Sequence, residues 1–206
     1  MSVVSSAAYE QLFELLCVHG PLSMQERAAC KAAFTACTDL AKGQIIEERD
    51  CIPKHLYYVH QGVLRLFDYT VQGEVHTAHL AGPGYFITPF LAFIHQRPTT
   101  QALSVVAPAT VLRITHQEMK ALIDTYPTFQ RFSLTIFEQA MAQTQAHAQR
   151  LATLSAEAHY RFLLETQQPW LAMVPVQDIA SYLGIKPQSL SRIRRQYASE
   201  SPTDLA

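Results

Sequence analysis

The strongest constraint on the fold is a pair of short helical patterns joined by a glycine, in residues 174–197. Apolar residues four positions apart predict a first helix over residues 176–183. Gly184 suits the left-handed position that ends a helix, and Pro187 suits the first turn of the next one. Two short helices around such a turn are typical of a helix-turn-helix.

The second of these helices has an apolar face and a polar, basic face. Leu190, Ile193 and Tyr197 recur at three and four residues, so we expect them to face inward. In a helix-turn-helix the second helix lies in the DNA major groove, where Arg pairs with guanine and Gln with adenine. A solvated helical hairpin and a protein-docking surface are the alternatives, although a protein-docking face would be apolar. The opposite face carries Gln188, Ser189, Arg192, Arg195 and Gln196.

The charge of the whole chain limits any nucleic-acid surface to a local patch. The 206 residues have a formal net charge of −1, so the chain is not a general binder of polyanions. Between Ile179 and Ser199, by contrast, four residues are basic and none is acidic. The chain has no apolar run of the roughly 20 residues that span a bilayer, and its N-terminus lacks the features of a secretory signal. We therefore expect a cytoplasmic protein.

The middle of the chain, from Leu40 to Ile114, has the composition and the turn spacing of a β domain. Runs rich in Val, Tyr, Phe and Leu alternate with turn signals such as Gln61-Gly62 and Ala107-Pro108, which favours a small antiparallel barrel or jelly roll. The predicted strands are 56–59, 63–69, 75–80, 102–106 and 110–114, with a helix-like insert at 87–95.

Helical patterns flank this region on both sides. Two helices are predicted over residues 6–17 and 21–37, the second capped by Ser23. After Pro127 a pattern without Gly or Pro runs to Thr153, and another helix is predicted at 156–167. Residues three or four apart form a narrow stripe on the long helix, which suits a two-chain coiled coil. The predicted dimerisation residues are Phe129, Phe132, Ile136, Ala140, Gln143, His147 and Leu151.

Burial of that stripe against the chain's own barrel is the alternative. Phe137 and Met141 lie off the stripe, and we expect them to contact the barrel. Small and polar residues in the middle of the stripe make the predicted seam moderate in strength.

Neither catalysis nor metal binding is favoured. His76 and His79, with Glu74, are the candidates for a metal site in the barrel, but residues three apart on a regular strand point to opposite faces. No Gly-rich phosphate loop and no nucleophile elbow occurs. We expect no catalytic residue, no metal, no cofactor and no enzyme activity. The cysteines match no tight cluster spacing and are interpreted as structural: Cys17, Cys30, Cys37 and Cys51.

Barrel, long helix and helix-turn-helix, in that order, resemble the Crp/Fnr superfamily of bacterial transcription regulators. The resemblance extends from about Leu22 to Tyr197 and depends on residues 56–66, 82–86 and 179–194. It implies an α+β fold with an N-terminal antiparallel β-roll of the cyclic-nucleotide-binding type, a long dimerisation helix and a C-terminal helix-turn-helix. The implied domains are 1–127, 128–154 and 155–206.

The same resemblance implies a homodimer that binds double-stranded DNA and acts with RNA polymerase. Gln188 and Arg192 fall where the family reads base edges, and Lys186, Ser189 and Arg195 fall where it holds phosphates. After the second helix, the tail is too short and polar for a well-formed wing hairpin. We therefore expect a reduced or absent wing.

The effector pocket that the resemblance implies is diverged. Members that bind cyclic AMP carry a Gly-Glu pair for the ribose and an Arg-Ser pair for the phosphate. An ungapped count from Tyr85 places Pro89 and Thr99-Thr100 there, so the acid and the arginine are missing. We expect cyclic AMP to bind weakly or not at all, although a two-residue slip would bring in Arg97. A different ligand, which could be apolar, remains open.

Overall fold

A computed structural model describes residues 3–18, 20–166 and 169–200 of the chain. It begins with two helices, α1 (Val3–Cys17) and α2 (Met24–Ala33). Ser23 caps α2 as predicted: its hydroxyl accepts from the Glu26 backbone N–H at 3.2 Å, and the Glu26 carboxylate accepts in return from the Ser23 backbone N–H at 2.8 Å. The helix predicted to reach residue 37 is too long. Phe34 already has an extended backbone, and strand β1 starts at the next residue.

Six strands form a single antiparallel sheet that curls into the β-roll. The order along the sheet is β1-β6-β3-β4, while β2 pairs with β6 and β5 pairs with β3. The strands are β1 (Thr35–Leu40), β2 (Ile45–Glu47), β3 (His55–Tyr69), β4 (Val75–Ala81), β5 (Phe86–Ile87) and β6 (Ala102–Thr115).

The two longest strands differ from the prediction, because each joins two runs that the turn signals had separated. Gln61-Gly62 and Ala107-Pro108 lie inside β3 and β6, where the register between the strands shifts. Gly62 has a φ of 84°, and a Cβ there would lie 2.7 Å from the Ala109 side chain. The glycine and proline therefore mark paired bulges, which bend both strands without ending them.

Of the remaining helices, one lies between β5 and β6 in the chain and the others follow β6. The insert is shorter than predicted, since residues 86–87 form β5. A helix over residues 116–125 was not predicted at all, although Thr115 caps it with Glu118. The helices are α3 (Phe90–His95), α4 (His116–Thr125), α5 (Pro127–Thr153), α6 (Ala156–Glu165), α7 (Val176–Tyr182) and α8 (Pro187–Glu200), with a 3₁₀ turn at Pro169–Met173.

Three apolar clusters hold these elements together. One fills the roll, from Tyr57 to Val111. A second joins α1, α2, α4 and the start of α5 to the outside of the roll. A third packs α6, α7 and α8 directly on sheet residues such as Val63 and Val106. The C-terminal helices therefore share buried apolar surface with the β-roll.

The long helix α5 has the predicted extent, but most of the face predicted to meet a second chain is covered. Phe129, Phe132 and Ile136 are buried in the second cluster of their own chain, and His147 is buried further along. These four side chains are unavailable to a second chain in this structure. The physical reason is that the β-roll and the N-terminal helices already cover this side of the helix.

A neighbouring face of α5 is the more open one, and it includes Leu151, the last residue of the predicted stripe. Leu134 is 58% exposed, and Leu151 is 38% exposed. Phe137 and Met141, which were expected to pack on the barrel, are half-buried and lie outside the three buried clusters, although Met141 borders a cavity against the roll. Ala140 and Gln143 are also half-buried.

Candidate nucleic-acid interface and ligand cavities

The helix-turn-helix forms where the sequence predicts it. Gly184 has a φ of 67° and lies between α7 and α8. The Ile185 backbone N–H donates to the Ala180 carbonyl at 3.0 Å, which closes the turn. Leu190 and Ile193 on α8 are buried against the other helices, as predicted. The described residues after α7 contain no strand, and residues 201–206 of the predicted short tail lie outside the description.

The free side of α8 presents the side chains predicted to meet DNA. Lys186, Gln188, Arg192 and Arg195 are exposed, and Ser189 is half-buried at the start of the helix. Within the described part of the chain, none of these basic side chains forms an ion pair. Their charges remain available to an anionic partner.

Arg194 belongs to the same basic stretch but turns the other way. Its Nε donates to the Tyr160 hydroxyl at 3.0 Å, and the guanidinium lies 5.7 Å from the centre of the Tyr160 ring. Arg194 therefore ties α8 to α6 and is not part of the free face.

The first helix of the unit is attached to the edge of the β-roll. The Ser181 hydroxyl donates to the Val75 carbonyl at 2.8 Å and accepts from the Thr77 backbone N–H at 2.9 Å. Because β4 is an edge strand, this serine pairs backbone groups that the sheet leaves unpaired. Arg65 of β3 forms an ion pair with Asp178 of α7, whose pKa burial raises against the opposing effect of that arginine. No sequence motif signalled these contacts.

A cavity of about 540 Å³ lies in the roll where the resemblance implies an effector pocket. Pro89, Thr99 and Thr100 line it, as predicted, together with Arg97. Tyr85 is absent from its lining and instead lines a second cavity. Among the described lining residues there is no carboxylate, so the ribose-binding acid has no substitute there. The Met141 and Thr144 side of α5 forms the far wall.

His147 lies at the contact between α5 and the helix-turn-helix. Its ring stacks on Tyr182 of α7, with ring centres 3.9 Å apart and planes 12° from parallel. His159 of α6 is 5.5 Å from it. Burial lowers the pKa of His147 to about 3, and the neighbouring His159 and Arg150 act in the same direction. In place of the predicted role in dimerisation, His147 contacts the helix-turn-helix of its own chain.

The two histidines of β4, His76 and His79, do not lie on opposite faces of the strand as predicted. The register pairs Leu66 with His79 but Phe67 with Thr77, so one extra residue bulges between them. His76 and His79 therefore share a face, although they are three apart. Asp68 bonds His76 at 2.9 Å, and burial lowers the pKa of His79 to about 4. The described residues contain no group of three or more His, Cys, Asp or Glu side chains arranged to hold a metal.

The cysteines are free thiols in different surroundings. Cys30 is buried in α2, which raises its pKa to about 12 and suits a core residue. Cys37 lies on strand β1 and not on a helix as predicted. Cys17 is half-buried and Cys51 exposed.

Residues 37–126 match the family model described as "Cyclic nucleotide-binding domain". No curated protein matches the chain. Among solved structures, FixK2 from Bradyrhizobium japonicum is similar, with 17% identity, a TM-score of 0.71 and coverage of 81% of this chain and 85% of that one. The c-di-GMP-responsive regulator CLP of Xanthomonas campestris has 17% identity and a TM-score of 0.66, covering 86% and 93%.

The roll is thus similar to a cyclic nucleotide-binding domain over residues 37–126, and a helix-turn-helix follows it along the chain. A crp/fnr-family protein from Eubacterium rectale has 15% identity and a TM-score of 0.65, with coverage of 90% of this chain and 88% of that one. The predicted resemblance to the Crp/Fnr superfamily is confirmed at the level of the fold, which is what a likeness at 15–17% identity shows. Among the described helices, none has the length and apolar character needed to cross a membrane.

Proposed function

We propose that the chain is a sequence-specific DNA-binding transcription regulator, without enzyme activity, that acts as a homodimer in the bacterial cytoplasm. One observation carries this proposal: α8 buries Leu190 and Ile193 and leaves Gln188, Arg192 and Arg195 exposed and free of ion pairs within the described residues. The shared fold with transcription regulators supports it. By the same likeness, we propose that the bound dimer acts through RNA polymerase.

The chemistry of the free face favours DNA over a protein partner. Gln188 and Arg192 are one turn apart on α8, so both side chains can reach base edges from a helix in the major groove. Lys186 and Ser189 lie at the helix start, where backbone N–H groups also suit a phosphate. Arg195 lies further along, where the wall of the groove brings phosphates close. With a formal net charge of −1, the rest of the chain offers little non-specific attraction.

We propose that two chains associate through the open face of α5. Its residues follow a three-four repeat, the spacing of a coiled-coil seam, from Leu134 to Leu151. A two-fold dimer would present two α8 helices to half-sites about 34 Å apart. The residues of this open seam are Leu134, Phe137, Met141, Thr144, Ala148 and Leu151.

The roll cavity supports sensing of a ligand other than cyclic AMP. Pro89 and Thr99 offer neither a carboxylate for a ribose hydroxyl nor a charge for a cyclic phosphate, although Arg97 lines the same cavity. We expect calorimetry to give cyclic AMP a dissociation constant weaker than about 100 μM. Micromolar affinity that is lost in Arg97→Gln would show that Arg97 serves as the phosphate ligand.

The test of the DNA proposal separates base reading from phosphate binding. Arg192→Ala should cost about 1–3 kcal/mol on the specific site and relax the preference at one base pair per half-site. Arg195→Ala should weaken binding to every duplex alike and lower the salt slope by about one. Arg194→Ala is the control on the same helix, because its guanidinium faces Tyr160: the ratio of specific to scrambled binding should be unchanged.

Binding is measured on the specific and scrambled duplexes over a salt series. Equal losses on both duplexes for Arg192→Ala would show that this residue does not read bases. If neither Arg192→Ala nor Arg195→Ala changed binding, α8 would not be the DNA-contacting helix.

A further inference from the structure

A second cavity, of about 360 Å³, lies where β4, α5, α6 and the 3₁₀ turn meet. It is separate from the roll cavity, and His79 and Gln143 contribute to the walls of both. Its size is in the range of small-molecule sites. Four aromatic side chains give the cavity flat, apolar walls: Tyr85, Phe162, Trp170 and Tyr182.

Among the described residues that line this cavity, the only formal charge is positive. Arg150 of α5 is half-buried, with its guanidinium 4.6 Å from the centre of the Phe162 ring. Within the described residues, no carboxylate lines the cavity and Arg150 forms no ion pair. The surrounding histidines add no charge of their own, since burial lowers the pKa of His147 and of His159 and so favours the neutral form, and Arg150 lowers both further. The site therefore holds a cation without an anion.

Two hydrogen-bond donors in the lining are also unused. The Nε of Arg150 and the Nε1 of Trp170 are both buried, and neither has a hydrogen-bond partner among the residues that the structure describes. An indole N–H and a guanidinium can only donate, so both require an acceptor. Trp170 is held in place, because its ring lies against Gly82 so closely that a Cβ on that glycine would overlap it. The indole N–H is thus fixed by packing.

We propose that this cavity binds a small aromatic carboxylate of one or two rings. The carboxylate accepts from Arg150 and from the Trp170 N–H, and the ring lies among the aromatic side chains. A planar fork such as guanidinium suits a carboxylate, and charge-assisted hydrogen bonds are the stronger kind. The aromatic walls explain why a ring, and not a bare anion, fits the remainder of the volume.

Such binding does not depend on the DNA-binding proposal. If that proposal also holds, the site is placed to affect DNA binding, because its walls include Tyr182 of the helix-turn-helix and Gln143 of α5. The ligand would then alter how α7 is held against the long helix. Ligand binding and DNA binding are measured separately, so either can fail alone.

Trp170 is the single tryptophan of the chain, so its fluorescence reports on this cavity directly. Benzoate and cinnamate are titrated into the full chain, with benzamide as the neutral analogue and acetate as the anion without a ring. We expect the aromatic carboxylates to bind about tenfold to a hundredfold tighter than benzamide, the value of a charge-assisted hydrogen bond. Inorganic phosphate and acetate should produce no saturable change.

Matched substitutions assign the site. Arg150→Gln should abolish the preference for carboxylate over amide, whereas Arg97→Gln, which changes the roll cavity, should leave it intact. Trp170→Phe keeps a ring but removes the N–H, and calorimetry should show benzoate affinity reduced about fivefold or more. Thermal unfolding measures whether each variant is folded. If Arg150→Gln does not fold, Trp170→Phe alone tests the assignment of the site.

Several results would overturn the proposal. Binding that Arg97→Gln abolishes and Arg150→Gln spares would place the ligand in the roll. Equal affinity for benzoate, benzamide and phosphate would show that neither the charge nor the ring of the ligand determines binding. If no aromatic carboxylate bound at concentrations up to about 10 mM, the N–H groups of Arg150 and Trp170 would have only water as an acceptor.

Discussion

The two faces of α5 have similar spacing in the sequence and opposite environments in the structure. Ile136, on one face, is 7% exposed and lies in a core with Phe129 and Phe132. Leu134, two residues earlier on the other face, is 58% exposed. Both faces repeat at intervals of three and four residues, so both satisfy the pattern of a coiled-coil seam.

This difference shows how a long amphipathic helix serves two partners. The buried face is the more strongly apolar near Pro127, where the roll and the N-terminal helices meet it, and it ends on His147 against Tyr182. The open face has fewer large apolar residues, which lie between Leu134 and Leu151. A helix that packs within its chain on one side remains free to pair on the other.

The largest expected effect comes from charging the buried face. Ile136→Asp places a carboxylate in an apolar core and should lower the free energy of unfolding by at least about 4 kcal/mol. Chemical denaturation followed by circular dichroism measures this. The matched variant Leu134→Asp, on the same helix, should leave the fold intact. A loss below about 1 kcal/mol in Ile136→Asp would mean that this face is not a core face.

The next effect concerns assembly. Leu134→Asp combined with Met141→Asp places like charges across the open seam of the proposed dimer. Sedimentation should then show monomers that keep their helix content at micromolar concentrations. Thr153→Asp, at the end of the helix and off the repeat, is the control and should remain dimeric. Dimers that persist in the double variant would exclude this face as the interface.

The smallest effect is on the pH dependence of stability. His147 has a pKa of about 3 in the folded chain, against about 6.5 when unfolded, because it is buried beside His159 and Arg150 and near His79 and His76. The unfolded chain therefore binds the proton more readily, so stability is full above pH 6.5 and falls as the pH drops towards 3.

His147→Phe keeps a ring on Tyr182 but cannot titrate. In unfolding experiments below pH 6.5, this variant should lose stability less steeply than the unsubstituted chain, by about 1.4 kcal/mol per pH unit for the one proton removed. Identical slopes would show that His147 is not held neutral in the folded chain.

Local chemistry was sufficient for much of the fold. The Gly184 turn, the cap at Ser23 and the inward positions of Leu190 and Ile193 depend on neighbours within a few residues, and each is confirmed. The order of roll, long helix and helix-turn-helix followed from the same signals. The predicted DNA-contacting residues follow from it too and remain to be tested.

Tertiary contacts decided the remaining features. In the sequence Gly62 indicates a turn, and only its pairing with β6 shows that it lies inside a strand. Likewise, only the register of β4 brings His76 and His79 to one face. The cavity around Arg150 and Trp170 joins residues from five separate elements, which no local spacing encodes. The covered face of α5 depends likewise on the position of the roll. Periodicity states that a helix has an apolar stripe, but the free energy of burial depends on which surfaces the folded chain brings against it.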